Sequence, residues 1–91
     1  MPYSLTDPMK KLEILKPALE GRHSEVLHYQ VNIDNYTRAI AKIDAEHAGN
    51  PAMVEFRDRM QDLLESSKTE QLKAIIIRDV IAEQIAELEA S

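Results

Sequence analysis

The sequence predicts an all-α protein folded as a long antiparallel helical hairpin, coiled-coil-like in its packing. Three observations predict it. Leu12, Leu15, Leu19, Arg22, Val26, Tyr29, Ile33, Tyr36, Ile40, Ile43 and His47 succeed one another at spacings of three and four, without a slip. Met60, Leu64, Ser67, Gln71, Ala74, Arg78, Ile81, Ile85 and Leu88 keep the same rhythm. Between the two stripes stands Gly49-Asn50-Pro51. A repeat of this kind gathers one seam of side chains along a helix and asks for a partner helix.

The first helix start is written at Thr6-Asp7-Pro8. Asp7 or Thr6 can cap free backbone N–H groups, and the missing N–H of Pro8 costs nothing in a first turn. An N-terminal helical segment is expected over residues 8–20, either as a helix of its own or as an extension of the next. Residues 16–24 are the weak stretch. Pro17 removes a helical hydrogen bond, and Gly21 costs roughly 1 kcal/mol against Ala in a helix interior. Ser24 suits a fresh N-cap. The expectation is a break or sharp kink here, although the heptad phase runs through it from Leu12 to Val26.

The first hairpin helix is placed at residues 24–48. Gly49 suits its C-terminal cap, Asn50 the next N-cap and Pro51 the next first turn. The second hairpin helix is placed at residues 51–90, a span without further Gly or Pro. At 1.5 Å per residue it is about 60 Å long.

Folding the chain at Gly49-Asn50 pairs residues whose numbers sum to about one hundred. Ile40 then meets Met60, Tyr36 meets Leu64, Tyr29 meets Gln71, Val26 meets Ala74, and Leu12 meets Leu88. Lys10, Lys11 and Lys16 fall near Glu83, Glu87 and Glu89. One layer conflicts, since Arg22 faces Arg78. Ser67 and Gln71 interrupt the second stripe, and Tyr29 is the expected polar neighbour of Gln71.

The second helix carries more apolar surface than one seam uses. Leu72, Ile75, Ile76, Ile77 and Val80 spread well around it, and Leu27 and Val31 lie off the seam of the first. A helix apolar on several sides is covered on several sides. These seven residues are the candidate protein interface; a dimeric helical bundle is the expected cover, and the 8–20 segment folding back after Gly21 is the competing one.

The 91 residues suffice for one small domain, residues 1–91. An open hairpin of that size buries little surface, which again favours a second copy. The net charge is −5, with five basic and nine acidic residues over positions 49–91. That balance argues against direct nucleic-acid binding, whose affinity comes mainly from Lys and Arg. The chain has no cysteine, which excludes thiolate catalysis and Cys-based zinc sites. A reducing cytoplasm fits. The longest apolar run, Ala74-Ile75-Ile76-Ile77, is far too short to span a membrane.

Four constellations invite a chemical reading. Glu20-x-x-His23 and Glu25-x-x-His28 match the spacing found in paired-metal bundles. Both lie on one segment and off the seam, so they read as surface residues, and no metal or cofactor is expected. His47 reads as a residue serving the helix C-terminus rather than a pH-sensitive latch. Tyr29 and Tyr36 read as core aromatics. Arg57 and Arg59, with Arg38 and Lys42, give positive charge near the hairpin tip, interrupted by Glu55, Asp58 and Asp62. No catalytic triad or phosphate loop is present. The sequence therefore points away from an enzyme. It points to a protein–protein interaction module: a small adaptor, chaperone or inhibitor. The alternatives are a self-assembling structural subunit and an acidic inhibitor that mimics nucleic acid.

Overall fold

The computed structural model describes residues 7–90. Two helices account for nearly all of them. Helix α1 spans Pro8–Glu46 and helix α2 spans Val54–Ala90, with a 3-10 turn at Pro51–Met53 leading into α2. They pack antiparallel into a rod of 69 × 21 × 14 Å. No described residue lies in a strand.

Asp7 caps α1 as its sequence position implies: Oδ1 accepts the Met9 N–H at 3.0 Å, and Pro8 occupies the first turn. Thr6, the other candidate cap, lies outside the described residues. From Pro8 the helix runs continuously to Glu46, through Pro17 and Gly21. The break expected within 16–24 is therefore absent, and 8–20 is an extension of the first hairpin helix. The reason is tertiary. Propensity penalties of roughly 1 kcal/mol for Gly and 3 for Pro compete with seating Leu12, Leu15, Leu19, Val26 and Arg22 on one seam. Each large apolar side chain withdrawn from water contributes about 1.5–3 kcal/mol, and only an unbroken helix keeps these in phase.

The turn follows its residues. The His47 N–H donates to the Ile43 carbonyl at 2.8 Å and ends α1. Gly49 takes φ +79°, a left-handed conformation that disfavours side chains. Asn50 accepts the Ala52 N–H on Oδ1 at 3.0 Å, starting the turn of Pro51–Met53.

Every seam position from Leu12 to Ile43 and from Met60 to Leu88 is buried or half-buried. The most enclosed are Ile43, Leu64, Ser67, Ala74, Ile81 and Ile85. His47 is the exception: it is exposed, because α1 ends at Glu46 and the seam ends with it. Contacts between the helices fix the register. Arg57 bonds Asp44, Gln71 bonds Gln30 and the Val26 carbonyl, and Lys16 bonds Glu89, all within five of the expected sum. Gln71 thus uses Gln30, at 2.9 Å, and backbone where Tyr29 was expected. The Tyr29 ring instead meets His28 edge-on, with centroids 6.1 Å apart. The Arg22–Arg78 layer is relieved locally. Arg22 turns to Glu25 at 3.1 Å and Arg78 to Asp79 at 3.0 Å.

The two glycines make opposite predictions. An added Cβ meets nothing within 4 Å at either site, so backbone conformation alone decides. Gly21→Ala sits in ordinary helix and is expected to stabilise by about 0.5–1 kcal/mol. Gly49→Ala forces a side chain into the left-handed region and is expected to destabilise by about 1–2 kcal/mol. Urea unfolding of the two variants checks both signs. A Gly21→Ala variant less stable than the parent means α1 does not run straight through that position.

Candidate interaction face

Several large apolar residues lie off the seam and stay exposed. Leu72, Ile76 and Val80 follow at i, i+4 and i+8 on α2, with 58, 53 and 45% of their surface exposed. At 100° per residue, Ile76 lies about 160° from both Ala74 and Arg78, which face α1. The three therefore form a stripe on the outer side of α2. Ile77 is exposed and Ile75 half-buried, each beside the seam on opposite flanks. Leu27 and Val31 are exposed as well, but on the outer side of α1. The seven candidate residues thus do not form one patch. The continuous element is the Leu72–Ile76–Val80 stripe with Ile77 beside it.

Other exposed apolar residues were not singled out by sequence: Met9, Ile14, Val54, Phe56 and Leu63. They are scattered, and single exposed apolar residues are ordinary on protein surfaces. Their off-seam phase was the available signal.

Polar chemistry is sparse. Among the described residues, no three His, Asp or Glu side chains gather as a metal cluster would require. Glu25 is engaged with Arg22, and His28 with the Tyr29 ring. Two of the four basic residues near the tip are committed to ion pairs. Arg57 makes a bidentate pair with Asp44, at 2.6 and 2.9 Å, and Lys42 pairs with Glu46. A recess of about 90 Å³ lies under that pair, between Ile43, Met53 and Val54. Small-molecule sites usually enclose about 300–1,000 Å³. A larger trough of about 570 Å³, lined by Met9, Leu12, Lys16, Pro17 and Glu89, is open to solvent.

The Asp44–Arg57 pair bridges the helices one turn from the tip, and the sequence reading missed it. Its signal was two opposite charges at complementary distances from the turn. The hydrogen bond from Arg57, reinforced by the guanidinium charge, holds the Asp44 carboxyl below its ordinary range. No described helix is long and apolar enough to cross a membrane. No protein-family model matches the chain, and no curated protein or solved structure is significantly similar to it.

Because folding lowers the Asp44 pKa, the clamp contributes fully above the ordinary aspartate range. The contribution is lost as pH falls through the depressed folded value. The carboxyl carbon of Asp44, followed by NMR during acidification, is expected to titrate below a free aspartate. Arg57→Gln is expected to return it to the ordinary range. An Asp44 midpoint unmoved by Arg57→Gln would show that the clamp does not form in solution.

Proposed function

We propose that this chain is a non-enzymatic protein–protein interaction module that docks through the outer face of α2. The observation that carries the reading is the Leu72–Ile76–Val80 stripe, about half exposed along its length. Burying apolar surface yields roughly 25 cal/mol for each Å² removed from water. Contiguous apolar patches on soluble proteins commonly mark interaction sites. A rigid hairpin presents that stripe at small entropic cost, because the helix is already formed before a partner arrives. Small adaptors, chaperones and inhibitors use helical faces in this manner. A cytoplasmic setting, where thiols stay reduced, is compatible with a chain that carries no cysteine.

The acidic-mimic alternative is weakened by the placement of charge. Glu65 pairs with Lys68, Glu70 with Lys73 and Asp44 with Arg57. Interleaved bases of this kind blunt the continuous negative row that a phosphate mimic needs.

Affinity capture from the source cells, with wild type and Ile76→Asp in parallel, tests the reading. The variant is expected to keep its helicity by circular dichroism, since Ile76 is 53% exposed, and to lose the captured protein. Identical capture by both chains would sink the assignment of this face.

A further inference from the structure

The stripe on α2 also defines what can lie against it. Leu72, Ile76 and Val80 form one i±4 ridge. Two i±4 ridges run parallel, each settling in the groove beside the other, when their helices cross at about −50°. A second copy of this chain brings an identical ridge, and a two-fold axis lets one patch meet itself. Such a crossing can be made with the two α2 helices running the same way or opposite ways.

The charges flanking the ridge separate these cases. Lys73 and Asp79 stand three residues before and after Ile76. At 100° per residue they lie about 60° to either side of it, on opposite flanks of the ridge. When both helices run the same way, the two-fold axis lies along the ridges. The −50° crossing then carries Lys73 of one copy beside Asp79 of the other, twice per dimer. When the helices run opposite ways, the axis lies across the ridges. Lys73 then meets Lys73, and Asp79 meets Asp79. The parallel arrangement turns two repulsions into two attractions.

Both charges are able to take part. Among the described residues, Lys73 is held only by Glu70, at 3.0 Å, with its side chain 67% exposed, and Asp79 only by its neighbour Arg78, at 3.0 Å, with its side chain 56% exposed. Exposed pairs of this sort are worth little and exchange readily. The crossing also separates the acidic residues further along the face. By Glu83, seven residues from Ile76 and the nearest acidic residue on that face, the two axes are roughly 13 Å apart, and by Glu65 and Glu87, eleven residues away, roughly 16 Å, both beyond the ~8 Å screening length of physiological salt.

We propose that the chain forms a parallel two-fold dimer through α2, crossing near Ile76, with Lys73 of each copy paired to Asp79 of the other. The proposal rests on reading the outer face of α2 as an interaction surface, and names its occupant as a second copy.

Sedimentation from micromolar to hundreds of micromolar protein tests it, with circular dichroism as the control for folding. Wild type is expected to show a monomer–dimer equilibrium, and Ile76→Asp a folded monomer. Lys73→Glu and Asp79→Lys are each expected to weaken the dimer roughly tenfold, as two attractions become two repulsions. The double exchange K73E/D79K is expected to return it to within about threefold of wild type. Single exchanges without loss, or a double exchange without rescue, overturn the parallel arrangement. A dimer indifferent to Ile76→Asp overturns the interface. A wild type that is monomeric throughout overturns self-docking. If Ile76→Asp still abolishes capture of a cellular protein, the interaction-module reading survives that result; if capture is also unchanged, both fall.

Discussion

The structure depends on one continuous seam between two helices. Its core is a single layer: the best-enclosed residues, Ala74, Ile43, Leu64, Ile81 and Ile85, retain between 3 and 8% of their surface. No third element thickens that layer among the described residues. Each seam residue is thus supported by one facing helix and by its neighbours along the rod. The turn matters because it sets the phase of everything beyond it. A slip of one residue at Gly49-Asn50 would rotate α2 by about 100° and turn the whole stripe away from α1.

Much of this was legible in the sequence. The two stripes, the turn and the register follow from apolar spacing together with Gly49, Asn50 and Pro51, whose roles are local and specific. The course of the chain at 16–24 was not. Pro17 and Gly21 are read locally as helix breakers, whereas the seam that overrides them is a sum over distant partners. The partner of Gln71 was missed for a related reason. Gln30 is one residue from Tyr29 and off the seam, and only the rotation of real helices brings its side chain across. His47 obeys the repeat in sequence but falls just past the last helical residue, where the repeat has no geometric meaning.

The candidate face was partly legible. Spacing alone shows that α2 is apolar beyond one seam, which marks Leu72, Ile76, Ile77 and Val80. Spacing does not tell how Leu27 and Val31 relate to them, because that depends on how each helix is rotated against the other. Once α1 faces the side of α2 that bears Ala74 and Arg78, the two groups lie on different outer sides. The interaction reading therefore narrows to α2, where a helical ridge and its flanking charges occur together.

The rod also has a mechanical character. Both ends of the hairpin, near Pro8 and Ala90, lie together, far from the tip along its 69 Å length. A pull on those two ends loads the seam one layer at a time, first Leu12 with Leu88, then Leu15 with Ile85, and so toward Ile43. Few contacts resist at any instant, so the hairpin peels open at low force, as a zipper does. A pull between the tip and the open end runs along the helices and loads their backbone hydrogen bonds rather than prying the seam apart, which demands far more. The same molecule is thus compliant in one direction and stiff in the other, and where a tether is attached decides which property it shows.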